Sequence, residues 1–299
     1  AATWMGAAVD WDKLVYPGVD TTKGFWTVSL AWAGLLLGVW LAFRIGFFLF
    51  GCGSAVCGVK PGTWALKLMM LVHHSVISPL ALIAIAEDKN LRDAIACFGC
   101  EASATGLIAD PADGPLRAAQ ALVPVTMGYM VADLILLPWW NLSSSNVLEN
   151  FLMVLHHVIS LNVWQMTMVF NYCQRYVLIL LSYEFTSIFL TLMWILSTSG
   201  MKGSIFYKLN GLLFTLSFVV IRMVAALPQL RAMWYVTPWL KRWADVYCPG
   251  VIPDQFPALL FHVGTATLVI PHLLNLFWGV KVVKGFLGVL GGKKSKSEK

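Results

Sequence analysis

Two adjacent histidine pairs, His73-His74 and His156-His157, lie inside stretches apolar enough to cross a membrane, and His262 and His272 lie in another. All six histidines of the 299-residue chain are therefore expected at membrane depth. Ionisable side chains are rare there because desolvation penalises them, so each marks a candidate site. An imidazole can act as base or nucleophile, and a carboxylate beside it selects its tautomer. The same ring can hold a haem iron or a chlorophyll magnesium, or can only bond between helices. Adjacent histidines project about 100° apart on a helix. One of each pair is thus expected to face a cavity while the other packs against a neighbouring helix.

Positioning these residues requires membrane spans. The chain is 59% hydrophobic and 12% charged, which excludes an ordinary soluble domain. Seven segments reach the ~20 apolar residues needed to cross ~30 Å of hydrocarbon: 25–51, 62–86, 119–140, 149–171, 174–197, 207–228 and 256–280. None shows the period-2 alternation of a barrel strand. The expected fold is all-α, a single bundle of seven transmembrane helices without internal repeat.

At 1.5 Å per residue, Asp133 lies roughly 10 Å and His156-His157 roughly 11 Å from one membrane face. They are expected to meet at one level, with Tyr129 one turn from Asp133 on the same helix face. His272 and Asn275 fall in the same half of the last span, and His73 and His74 nearer the middle of the second. Glu184 and Arg222 lie roughly 15 Å and 9 Å from the opposite face. An unpaired charge there would be costly, so the two are expected to pair. The functional version of that pair is an Arg222 that holds an anionic headgroup.

The lysines at 281, 284, 293, 294, 296 and 299 place the C-terminus on the cytosolic side, joined by loops near Lys60 and Lys202. Arg231, Lys241 and Arg242 oppose that bias. Seven spans then put the N-terminus on the other side. Its first 24 residues, with Asp10, Asp12 and Asp20, have no basic n-region and do not read as a secretory signal. The +6 net charge favours contact with anionic lipid over nucleic acid, and no nucleic-acid partner is expected. Cys97 and Cys100 form a lone CFGC, read as a local disulfide or two unremarkable thiols. No second CxxC, HExxH, GxSxG or phosphate-cradling glycine loop is present, so no metal site is expected.

From residue 62 to about 285 the chain resembles the TLC-domain family, whose best-known members are ceramide synthases. The likeness rests on ordered motifs: WALKLMMLVHHSVIS (64–78), GYMVADLILL (128–137), VLHHVISL (154–161), YEFTSIFLTLMWIL (183–196), KLNGLLFTLSFVVIRMVAALP (208–228) and LNLFWGVKVVKG (274–285). LLSYEFTSIFL (180–190) has Glu184 as its one carboxylate and lacks the His-Asp of the Lag motif, which is closer to the family's non-synthase branch. The organisation expected is an extramembrane segment (1–24), a first helix and loop (25–61), a six-helix TLC domain (62–285) and a basic tail (286–299).

The resemblance implies lipid handling, with transfer of a fatty acyl group from acyl-CoA to an amine or lipid acceptor as its catalytic form. His156, His157 and Asp133 would be catalytic. Tyr129, His73, His272, Asn275, Glu184 and Arg222 would contact substrate. The expected location is the endoplasmic reticulum or another organellar membrane, with membrane lipids as partners and acyl-CoA as substrate rather than a resident cofactor. The rival is a non-catalytic subunit of a respiratory or photosynthetic membrane complex that binds lipid, pigment or haem. Fourteen tryptophans, among them Trp139, Trp140, Trp234 and Trp239, suit either an interfacial belt or a partner surface. A transporter is disfavoured, since the sequence shows neither an inverted repeat nor a pair of broken helices.

Overall fold

Backbone amides find no water inside hydrocarbon, so apolar runs of this length must satisfy them internally as helix. The computed structural model describes residues 9–50, 56–100, 115–140, 147–169, 173–236 and 258–290. Among these the regular structure is helical, with single 3-10 turns at Trp11–Lys13 and Leu137–Trp139, apart from one isolated bridge between Val56 and Val59. The helices are α1 (Thr22–Leu49), α2 (Pro61–Glu87), α3 (Lys89–Ala96), α4 (Arg117–Ile135), α5 (Val147–Val169), α6 (Gln174–Ser182) and α7 (Phe185–Thr198). They continue with α8 (Ile205–Ser217), a π-helical stretch (Phe218–Val224), α9 (Ala226–Val236) and α10 (Ala258–Leu290).

Six spans among the described residues are long and apolar enough to cross a membrane: α1, α2, α4, Asn150–Val169, Gln174–Thr198 and Ile205–Ala232. The seventh expected span, 256–280, overlaps α10, which runs on to Leu290 and whose side chains are described over 269–288. The side chains of His262 and Trp234, together with Trp239, Lys241, Arg242 and the lysines at 293, 294, 296 and 299, lie outside the described residues. Leu30, Leu35, Leu41 and Ile45 of α1 and Leu209, Leu213 and Leu216 of α8 are exposed. So broad an apolar surface suits lipid, not water. The protein is an integral membrane protein.

The centre of the bundle is α4, with 83% of its apolar window buried against 17–44% in the other five spans. Its sequence explains this. Ala118, Ala119, Ala121, Gly128 and Ala132 are small and buried, and small residues let helix backbones approach closely. A Cβ on Gly128 would lie 2.5 Å from the Ser29 carbonyl oxygen and 2.8 Å from the Ala33 nitrogen. The α1 backbone therefore runs directly against α4 there.

Trp40, Trp64, Trp139 and Trp194 cluster at one end of the bundle. Trp40 packs on Trp139 and Trp64 on Trp194, each with centroids 4.9 Å apart. Arg44 and Lys67 lie over rings of this girdle. At the other end, Trp11 donates to Glu87, Arg175 pairs with Asp88 at 2.9 Å, and Cys97 is bonded to Cys100.

Two interruptions depart from the expected continuous spans. Residues 174–197 break at Tyr183-Glu184, where amides bond three residues back: Tyr183 to Leu180, Glu184 to Leu181 and Thr186 to Tyr183. Residues 207–228 contain the π-helical stretch, closed by the Ala225 amide bonding five residues back to Val220. Such irregularities are frequent at functional positions. Here a single side chain links them. Arg222, in the π-helical stretch, donates Nε (3.0 Å) and Nη2 (2.8 Å) to the Tyr183 carbonyl at the break.

Candidate functional site

Asp133 ends the buried face of α4, one turn beyond Tyr129, and is itself buried. Its Oδ2 meets Nε2 of His157 at 3.0 Å. Trp140 donates Nε1 to Oδ1 (3.1 Å) and to the Asp133 carbonyl (3.0 Å). His157 is bonded on its other side too, since its Nδ1 donates to the Met153 carbonyl, one turn back on α5, at 2.9 Å. That bond consumes the Nδ1 proton, so Nε2 and the carboxylate share the next one. With both ring nitrogens engaged and Trp140 packed nearby at 5.5 Å, His157 is pinned between α4 and α5.

His156 points elsewhere. The two rings stand 5.7 Å apart at 89°. His156 is half-buried and, among the described residues, makes no hydrogen bond. It lines a narrow cleft between α5, α6 and α10, with Leu152, Ile159, Trp164, Leu180, Pro271 and Leu274 among the other walls. Leu155 and Ile270, also in the lining, are exposed to the lipid-facing surface. The cleft therefore opens sideways toward hydrocarbon.

A second polar group lies deeper. His73 and His74 on α2 are buried, with Nδ1 atoms 3.4 Å apart. His73 stacks on Tyr129 at 4.1 Å and 12°. His74 Nδ1 is 3.5 Å from Oε2 of Glu184, which also accepts from Ser187 at 2.8 Å. The other oxygen of Glu184 is 3.9 Å from Nη2 of Arg222. Arg222 further donates to Ser187 (3.2 Å) and to Oδ1 of Asn275 (3.3 Å). His272 sits between two tyrosine hydroxyls, Tyr176 on Nε2 and Tyr183 on Nδ1, and Tyr183 reaches Gln229. One set of protons satisfies this chain: Tyr176 donates to His272, His272 to Tyr183 and Tyr183 to Gln229.

The nine residues expected to be catalytic or to contact substrate thus fall into two groups, which share α4 through Asp133 and Tyr129. Asp133 meets His157 and leaves His156 to the cleft. Glu184 and Arg222, separated in depth from the histidines by span counting, join them through His74. Trp140 as a partner of Asp133 is not apparent from the sequence, and neither are the roles of Tyr176, Tyr183, Ser187 and Gln229. The position of Tyr183 beside Glu184 is the available signal, since a buried ion pair needs further donors and acceptors around it. Among the described residues, no group of three or more histidine, cysteine or acidic side chains could hold a metal ion.

A polytopic helical membrane protein with histidines, a carboxylate and a guanidinium converging inside the bundle is the class that this fold and site define. The family model of the TLC domain matches residues 63–284, about three quarters of the chain. The chain belongs to that family. No curated protein and no solved structure matches it.

Proposed function

We propose that this protein handles acyl lipids and that its reaction is acyl transfer at His156. The observation that carries the reading is the imidazole of His156, unbonded among the described residues and facing an apolar cleft that opens to lipid. A hydrocarbon chain gains by lying against Leu152, Ile159 and Leu274, and its reactive end is then brought to the ring. As general base, His156 takes a proton from an attacking amine or hydroxyl as the new bond to the acyl carbon forms. The thioester C–S bond breaks, and the proton passes to the departing thiolate of CoA. His157, held by Asp133 and Met153, acts as a positioning residue that fixes the rotation of α5 and so the direction of His156. A Cys97–Cys100 disulfide at the end away from Asp133 supports an oxidising lumen on that side. The Asp133 end and the basic C-terminus then face the cytosol, where acyl-CoA is met, in the endoplasmic reticulum or another organellar membrane.

The test is an acyl-transfer assay on purified protein with labelled long-chain acyl-CoA and a panel of amine and lyso-lipid acceptors. Product is expected from wild type and not from His156→Ala, with thermal stability unchanged. Equal product from wild type and His156→Ala would overturn the assignment.

A further inference from the structure

Asn275 is buried at 2% exposure, and its Nδ2 has no acceptor among the described residues. Its Oδ1 is already used by Nη1 of Arg222. Arg222 spends Nε on the Tyr183 carbonyl, Nη2 on that carbonyl and Ser187, and one Nη1 hydrogen on Asn275. A guanidinium has five N–H donors, so among the described residues one Nη1 hydrogen remains beside the two of Asn275. Buried donors are normally satisfied, and an unpaired one is destabilising until an acceptor arrives. The neighbouring residues on α10, Leu274 and Pro271, line the same cleft as His156. An apolar wall and a set of uncommitted donors therefore sit side by side.

We propose that Asn275 and Arg222 form a carbonyl-binding site for the acyl group whose hydrocarbon chain occupies the cleft. This rests on the cleft being an acyl site, and it adds what recognises the polar end. The ligand must supply acceptor oxygens, because the open groups of Asn275 and Arg222 are all donors. It must also be neutral: Glu184 lies 3.9 Å from the guanidinium and offsets its charge, so a carboxylate would add a second anion beside Glu184. An ester, thioester or amide carbonyl fits, and a free fatty acid does not.

Photolabelling of the full chain tests this. The chain is purified in a maltoside detergent, which carries no acyl carbonyl. Two probes are compared, a diazirine-bearing sixteen-carbon methyl ester and the matched diazirine alkane, with labelling read on peptides covering 152–164 and 270–275. Wild type should favour the ester by about tenfold, the worth of one or two good hydrogen bonds. Asn275→Asp keeps the shape and the bond to Arg222, has no donor, and its second oxygen takes the remaining Nη1 hydrogen. It should bring the two probes to within about twofold while alkane labelling stays unchanged. Equal labelling in wild type, or an ester preference that survives Asn275→Asp, overturns the site and leaves water as what these donors hold. A free fatty acid that displaces the ester better than a neutral ester does overturns the charge assignment. If the alkane labels the cleft and the ester gains nothing, only this proposal fails; if neither probe labels it, the acyl reading of the cleft fails as well. Should Asn275→Asp also lose alkane labelling, the wild-type ratio alone decides.

Discussion

Replacing Asp133 by asparagine and by leucine separates shape from charge at the contact between α4 and α5. In the wild type, Oδ2 faces His157 and Oδ1 accepts from Trp140. Asparagine preserves both contacts. Its oxygen still accepts from Trp140, and its amide donates to Nε2 of a neutral His157 whose Nδ1 proton stays on the Met153 carbonyl. Leucine removes both side-chain bonds. Trp140 keeps its bond to the Asp133 main-chain carbonyl, while Nε2 of His157 is left buried without a partner. Side-chain hydrogen bonds between membrane helices contribute about 0.6 kcal/mol on average and at most ~1.7. Asp133→Leu should therefore destabilise by about 1–3 kcal/mol, and Asp133→Asn by less than about 1 kcal/mol. Equilibrium unfolding in mixed micelles with rising denaturing detergent measures the difference. Equal losses in the two variants, or no loss with leucine, would refute this role for the Asp133 side chain.

Gly128→Val should destabilise strongly, by about 1–3 kcal/mol or to the point of misfolding, because the obstructing atoms are α1 backbone that cannot step aside. Gly38→Val, where a Cβ meets nothing within 4 Å, is the control and should leave the thermal midpoint unchanged. Arg222→Leu strips donors from the Tyr183 carbonyl, Ser187 and Asn275 and leaves Glu184 without its guanidinium. A loss of about 2–3 kcal/mol is expected in the same unfolding assay. Arg222→Lys should fall between that variant and wild type, since one ammonium cannot bridge three acceptors in the plane a guanidinium spans.

The spans were legible because length and composition suffice for them. The expected 25–51 and 62–86 became Thr22–Leu49 and Pro61–Glu87. The broken span and the π-helical stretch were not legible, because hydropathy reports burial in lipid and says nothing of which carbonyl a distant guanidinium will occupy. Tyr183 and Arg222 are 39 residues apart in sequence, and only docking of their helices makes the break favourable. The histidine pair was legible in one respect. The helical angle between neighbours already required 156 and 157 to face different ways. Which of them met Asp133 depended on the rotation of α5 against α4, a tertiary relation that no local pattern in either helix reports.

His156 alone among the described histidines offers a free imidazole to the lipid-facing cleft, and the proposed chemistry stands or falls with that ring. Diethylpyrocarbonate modification, quantified histidine by histidine by mass spectrometry in the folded protein, tests this whatever the substrate is. His156 should react first and be protected by a long-chain acyl ester. His73, His74, His157 and His272, buried and held by neighbours, should react slowly, with or without lipid. If His157 reacts as fast as His156, or the acyl ester leaves the rate at His156 unchanged, the assignment of the reactive histidine is wrong.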